Sequence, residues 1–112
     1  MPLSLQTVIK EYVNKLHDLY GGHLKRVILY GSYARGDFTK DSDVDIMVLV
    51  DLQEDDIKQY GEALSDFTFD INMEKDLLLM PIVKNEEHFK YWENAYPFYR
   101  NVNQEGISLY AA

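Results

Sequence analysis

Val27-Ile28-Leu29-Tyr30 is an apolar run of four residues, closed on one side by Lys25-Arg26 and on the other by Gly31. So short a run makes one turn of helix but a complete buried strand, so it commits the chain to a sheet. A second strand is expected over Val44–Val50 and a third over Leu77–Val83, the latter tolerating Pro81 at an edge or near a strand end. Ahead of them, Leu5, Val8, Ile9, Tyr12, Val13, Leu16 and Tyr20 return every three or four residues from a Ser4 N-cap. Gly21-Gly22 ends that pattern, which predicts an amphipathic first helix. Asp51 with Glu54 has the form of a capping box, and Ile57, Tyr60, Leu64, Phe67 and Ile71 keep helical spacing behind it. Phe67, Phe69, Ile71 and Met73 also alternate with polar residues as a strand would; the helix is preferred. Asn85 is placed to cap a helix with Phe89, Trp92 and Tyr96 on its apolar side. Pro97 opens another that ends at Gly106, and Ile107–Tyr110 adds a short last strand. The expected fold class is α+β, a small mixed β-sheet with helices packed on it.

A chain of 112 residues is the ordinary size of one domain, and 1–112 is read as one. Nothing approaches the roughly 18 to 20 apolar residues of a membrane span, and Met1-Pro2-Leu3-Ser4 lacks the basic and apolar regions of a signal peptide, so a cytoplasmic protein is expected. The sequence contains no cysteine, so any metal must be held by oxygen or imidazole. A net charge of −8 disfavours general attraction to nucleic-acid phosphates and is compatible with a basic protein partner.

The chemistry is concentrated between the first two strands, in Leu29-Tyr30-Gly31-Ser32-Tyr33-Ala34-Arg35-Gly36 followed by Asp41-Ser42-Asp43-Val44-Asp45. A glycine directly after a strand lets backbone approach a ligand closely. A turn that opens a short helix aims amide N–H groups and the Ser32 hydroxyl at anionic oxygen, which makes a phosphate seat. Asp43 and Asp45 are two apart, so both side chains leave the same face of the strand while Val44, Ile46, Val48 and Val50 line the other. Neighbouring carboxylates repel unless a cation lies between them, and magnesium takes such ligands when triphosphate oxygens complete its octahedron. If the two strands pair antiparallel, phosphate seat and carboxylates share one edge.

Gly-Ser, ten residues, then Asp-x-Asp resembles the signature of the DNA polymerase beta nucleotidyltransferase superfamily, and the chain looks like its minimal nucleotidyltransferase (MNT) branch. The likeness in element order covers 24–83 and is sharpest over Tyr30–Val50; the helical, aromatic segment 85–106 carries no family chemistry. The resemblance implies a nucleotidyltransferase fold in which Gly31 and Ser32 hold the β and γ phosphates of ATP or another nucleoside triphosphate. It also implies that Asp43 and Asp45 bind Mg²⁺ or Mn²⁺, and that a nucleoside monophosphate passes to a hydroxyl with release of pyrophosphate. MNT proteins commonly pair with a HEPN-domain toxin as its antitoxin, so the implied acceptor is a tyrosine hydroxyl of a partner protein. The family usually sets a third carboxylate on the next strand, where this chain has Leu78 and Leu79. A helical crossover would make strand three parallel to strand two, so it begins at the metal-site edge. Asp76 stands there and is the candidate third ligand, with Asp70 and Glu74 behind it. Without one, the site binds nucleotide and turns over slowly or not at all. A catalytically weak nucleotide-sensing module is therefore the alternative to an enzyme, and a small-molecule modifier of the aminoglycoside type ranks last.

The remaining side chains have plainer readings. Arg35 meets the triphosphate or pairs with Asp37 or Asp41, while Lys40 is solvated and Tyr33 packs beneath the loop. His17, His23 and His88 share no ligand spacing and are surface or structural. Tyr91, Trp92, Tyr96, Phe98 and Tyr99 form an aromatic cluster of core character, any exposed part of which suits a protein partner.

Overall fold

The computed structural model describes residues 2–112; Met1, part of the stretch read above for targeting signals, lies outside the described residues. The elements run α1 (Leu3–Tyr20), a 3₁₀ turn (Gly21–His23), β1 (Leu24–Tyr30), α2 (Ser32–Arg35), β2 (Val44–Val50), α3 (Glu54–Gln59), α4 (Gly61–Lys75), β3 (Leu79–Asn85), α5 (Glu86–Trp92), α6 (Pro97–Glu105) and β4 (Ile107–Ala111). The strands form one mixed sheet in the order β3-β2-β1-β4, with β1 antiparallel to β2 and β4 and β2 parallel to β3. This is the expected α+β architecture. No helix among the described residues is long and apolar enough to cross a membrane.

Helices cover both faces of the sheet, which explains why β2 reads as a nearly continuous apolar run. On one face Val27, Leu29, Val44, Ile46, Val48 and Val50 meet Leu5, Ile9, Tyr12 and Leu16 of α1 and Leu64 of α4. On the other, Ile28, Met47 and Leu49 meet Phe89 of α5 and Tyr99 and Val102 of α6. Tyr12 is fully buried, and its hydroxyl shares a 2.7 Å hydrogen bond with the Thr68 hydroxyl of α4. That contact ties the two helices of the first layer together, and burial pushes the Tyr12 phenol up to about 12.

Several boundaries differ from expectation for local reasons. β1 starts at Leu24 rather than Val27, because Lys25 and Arg26 are themselves only partly exposed in the strand. α1 begins at Leu3 with Pro2 as its N-cap, so Ser4 is inside the helix. The capping box does not form: Gln53 stands at the N-cap position of α3 without a side-chain cap bond, and Asp51 accepts instead from His23 Nδ1 at 2.7 Å. The second helical stretch is divided at Tyr60 into α3 and α4. Within α4, Leu64 and Thr68 are buried while Phe69 and Met73 are exposed, so helical spacing prevails over the alternation of 67–73. β3 starts two residues later than expected, since Asn72 bonds Leu79 through both its amide groups and holds the intervening residues as a connection. Pro81 sits on the edge strand that it requires. Asn85 caps α5 by accepting from the His88 N–H at 2.9 Å, and Pro97 opens α6, both as expected.

Gly106, between α6 and β4, is where helix and sheet come closest. A Cβ there would overlap the Val102 carbonyl oxygen and Ile Cγ2 of residue 28 on β1. Gly106→Ala should therefore destabilise the fold by about 1–3 kcal/mol. Gly22→Ala, whose Cβ would meet nothing within 4 Å, should shift stability by less than about 0.5 kcal/mol. Denaturant midpoints measure both, and equal midpoints for the two variants would contradict the close packing of α6 on β1.

Candidate functional site

The antiparallel register sets Tyr30 opposite Asp45, so the end of β1 and the start of β2 lie side by side at one edge of the sheet. β3 begins at the same edge, where the Val44 N–H donates to the Leu78 carbonyl at 2.8 Å. Gly31 follows with φ 77°, a left-handed conformation that favours glycine. A second constraint acts at the same residue, because a Cβ on Gly31 would overlap Asp45 Oδ2. The glycine thus serves the acidic pair as well as the turn. The Ala34 and Arg35 N–H groups close α2 back onto the Gly31 carbonyl, and Gly36, at φ 86°, ends it. The first N–H groups of such a turn lack intrahelical acceptors. Tyr33 is buried under this loop and stacked on Phe38 with ring centroids 4.3 Å apart, as expected.

Gly31, Ser32, Asp43 and Asp45 line one cavity of about 560 Å³, floored by Tyr30 and walled by Arg35, Phe98, Asn101 and Glu105. Pairing across the ladder places Asp45 on the same face as Tyr30 and as Met47 and Leu49, the face covered by α5 and α6. Asp43 is exposed and Asp45 half-buried. Burial raises the Asp45 carboxyl above the ordinary aspartate range and the Asp43 charge raises it further, with Arg35 pulling weakly the other way. Burial, and then the Asp45 charge, push the Tyr30 phenol up to about 12. Arg35 donates from Nε to Asp37 at 3.3 Å and from Nη1 to Glu105 at 3.5 Å, so it pairs with Asp37 and not with Asp41.

The other acidic candidates are elsewhere. Asp76 caps the end of α4 with φ 53° and lines a separate depression with Tyr33, Lys40 and Leu77, touching the main cavity only through Ser42, common to both. The left-handed turn at Asp76 carries the chain from the helix layer into β3 and leaves this carboxylate outside the site. Asp70 and Glu74 are exposed on α4, in the layer opposite the face of Asp45. The parallel register sets Met80 beside Asp45, so the neighbouring strand offers a thioether on that face, and Leu78 and Leu79 precede that position. Among the described residues no three His, Asp or Glu side chains converge as a metal cluster. As a donor set, Asp43 and Asp45 still suit magnesium, which takes one or two carboxylates and completes its shell with water and phosphate oxygen.

The wall from α6 was not foreseen. Phe98, Asn101, Val102 and Glu105 are spaced i, i+3, i+4 and i+7, which is one stripe of a helix. Val102 is buried while Asn101 and Glu105 are polar, so the sequence signal was two polar residues on an otherwise apolar stripe. Of the aromatic cluster, Tyr99 is buried, whereas Tyr91, Tyr96 and Phe98 are 77%, 47% and 45% exposed, which divides it between core and surface. His17 packs on Tyr110 and His88 on Tyr99, in keeping with structural roles.

A family model described as a nucleotidyltransferase domain matches residues 9–102. Two Methanocaldococcus jannaschii proteins named "putative protein adenylyltransferase" are similar in sequence. One is 38% identical over 108 residues, covering 96% of this chain and all of the relative. The other is 34% identical over 81 residues, covering 72% of this chain and 80% of the relative. Among solved structures, a mutant of the toxin–antitoxin complex MntA–HpeT matches with a TM-score of 0.60 and 17% identity, over 93% of this chain and 73% of that one. A toxin–antitoxin structure with AMP-PNP matches with a TM-score of 0.57 and 19% identity, over 92% and 73%. These two show a shared fold.

Asp45 is held with its proton more tightly in the folded chain than in the unfolded one. Stability therefore falls as pH rises from the ordinary aspartate value of 3.8 through the raised folded value, and stays lower above it. Asp45→Asn removes this effect. Without divalent cations or nucleotide, it should unfold at a higher temperature than the wild type at pH 7, with the gap closing below pH 3.8. A scan in which Asp45→Asn melts no higher at pH 7 would contradict the burial assigned to this carboxyl.

Proposed function

The chain belongs to the nucleotidyltransferase domain family, and from that premise we propose that it binds ATP or a related nucleoside triphosphate with a divalent cation and transfers the nucleoside monophosphate to a hydroxyl of a partner protein. The single observation that carries this reading is the shared cavity, in which a glycine-serine turn and two adjacent carboxylates face the same space. Its volume of about 560 Å³ lies within the roughly 300–1,000 Å³ of small-molecule sites. In this reading 1–112 is one nucleotidyltransferase domain, in a cytoplasmic protein.

Each group has a part in the chemistry. The N–H groups and hydroxyl at Ser32 receive phosphate oxygens, and the left-handed Gly31 lets the backbone come close enough to do so. Asp43 and Asp45 would hold Mg²⁺ or Mn²⁺, whose chemistry is to neutralise charge on the triphosphate and on the leaving pyrophosphate. Arg35 reaches the same cavity and can turn from its carboxylate partners to phosphate. The acceptor oxygen attacks the α-phosphorus, and the bond from that phosphorus to the bridging oxygen breaks. Pyrophosphate leaves with the electron pair, and the acceptor's proton passes to a carboxylate or to water. The names of the relatives as protein adenylyltransferases support ATP as donor and a protein as acceptor. The AMP-PNP in one similar structure supports a triphosphate in the cavity, and the toxin–antitoxin pairing in both similar structures supports a toxin as partner, which the resemblance to MNT antitoxins implies to be of HEPN type. The exposed Tyr91, Tyr96 and Phe98 offer aromatic surface for that partner.

A second reading, a nucleotide-sensing module without turnover, is favoured by Met80, which takes the place beside Asp45 where a strand-borne third carboxylate would stand. One experiment separates the two. ATP labelled on its α-phosphate is mixed with Mg²⁺, the chain and the candidate toxin, and label on the toxin is followed. Transfer is expected, with a loss of at least about 100-fold in Asp43→Asn and in Asp45→Asn. Label that persists in both variants overturns the site assignment, and calorimetric ATP uptake without transfer leaves only the sensing module.

A further inference from the structure

We propose that Glu105, in the last turn of α6, is the third acidic group of this cavity and ligates a second divalent cation once a triphosphate has drawn Arg35 away from it. The inference rests on the nucleotide-binding reading given above. Two cations about 4 Å apart repel each other, so a second ion needs anionic oxygen on the side away from the first. The strand beside Asp45 cannot supply it, because the register there gives Met80. Asp76 lies in another depression, and Asp70 and Glu74 lie in the opposite helix layer. The carboxylates that line the cavity are those of Asp43, Asp45 and Glu105.

Glu105 is also held in place by the fold. It ends the helical stripe that contributes Phe98, Asn101 and Val102 to the cavity wall, and Val102 is buried against the sheet. Gly106 follows at once, with its α-carbon so close to Ile28 and to the Val102 carbonyl that no side chain fits. β4 then pairs with β1, from Leu29↔Ile107 onward, so the backbone on both sides of Glu105 is anchored to the strand that delivers Gly31. Its side chain carries three rotatable bonds on this fixed base.

In the structure Glu105 faces Arg35 Nη1 at 3.5 Å, and both side chains are more than two-fifths exposed. An exposed pair of this kind contributes little. A triphosphate, with more charge and paired oxygens matched to a guanidinium, competes for Arg35 with advantage. Arg35 thus exchanges Glu105 for phosphate, and the freed carboxylate turns into the cavity toward the cation. This accounts for the absence of a three-carboxylate cluster among the described residues as the side chains now stand.

The test uses the full chain with Mn²⁺ and α,β-methylene ATP, which cannot transfer its nucleotide, and counts bound Mn²⁺ by electron paramagnetic resonance. Wild type should bind two ions per nucleotide complex. Glu105→Gln should keep nucleotide affinity within about 3-fold and weaken the second ion at least about 10-fold. The same loss should persist in an Arg35→Gln background. If Glu105→Gln lowers the melting temperature, Glu105→Asp, with the same charge on a shorter arm, should show a smaller loss of the second ion. Two ions bound equally by wild type and both Glu105 variants would overturn the proposal, as would a loss that vanishes in the Arg35→Gln background, where Glu105 would merely tether the arginine. A single ion in wild type also overturns it while leaving the nucleotide reading intact. No nucleotide uptake by wild type refutes that reading itself.

Discussion

The contact on which the rest depends is the approach of the Gly31 backbone to the Asp45 carboxylate. The left-handed turn that ends β1, the register that sets Tyr30 against Asp45, and the aim of the acidic pair all meet there. Because side chains alternate along a strand, a slip of one residue would turn Asp45 into the layer filled by α1 and α4 and bring Val44 or Ile46 to the cavity. The apolar demand of that layer, where Val44, Ile46, Val48 and Val50 are fully buried, is what forbids the slip. The hydrophobic core thus aims the carboxylates. Any residue larger than glycine at position 31 would have to displace the side chain that the core has aimed.

That arrangement works against stability at one point. Asp45 is half-buried beside another carboxylate, with only a weak opposing influence from Arg35, so its charged form is disfavoured by the fold that positions it. In the proposed function the divalent cation reverses the sign of this strain, since it favours the ionised pair that the protein alone disfavours. The same logic explains why Arg35 is held loosely, between two exposed carboxylates at 3.3 and 3.5 Å. A buried, tightly paired arginine would have nothing left for a phosphate.

Much of this was legible in the sequence because local rules and tertiary demands agreed. The apolar runs, Gly21-Gly22, Asn85 and Pro97 each mark an element boundary or strand through chemistry that neighbouring residues do not alter. Gly31, Ser32, Asp43 and Asp45 were found together because strand pairing converts a separation in sequence into adjacency, given only an antiparallel hairpin. Where expectation failed, a distant partner had decided. Asp51 resembled a cap for the next helix, but His23 and Lys25, from the turn and strand before, take its carboxylate. Asp76 was placed at the correct edge by the parallel crossover, yet the left-handed turn that enters β3 carries it to another depression. Its position along the sheet could be reasoned out; the direction of a cap residue's side chain could not.

The α6 wall was missed for a related reason, and it shows what closes the cavity. No phosphate or metal motif marks 97–106 in the sequence, where Glu105 stands as a lone carboxylate, so its aromatic residues read as core. The stripe gains its function only when β4 returns antiparallel to β1 and draws the end of α6 over the mouth of the β1–β2 hairpin. Ile28 touches both events: its side chain packs with Val102 on one face, and its backbone pairs with Ser108. Weakening β4 should therefore loosen the cavity wall before it disturbs Gly31 or the acidic pair, whose placement depends on β1, β2 and the apolar layer of α1 and α4 packed on them. The cavity is built from two modules of different origin, a hairpin that sequence reveals through its glycine-serine turn and paired aspartates and a helix–strand return that becomes visible only once the sheet has been assembled.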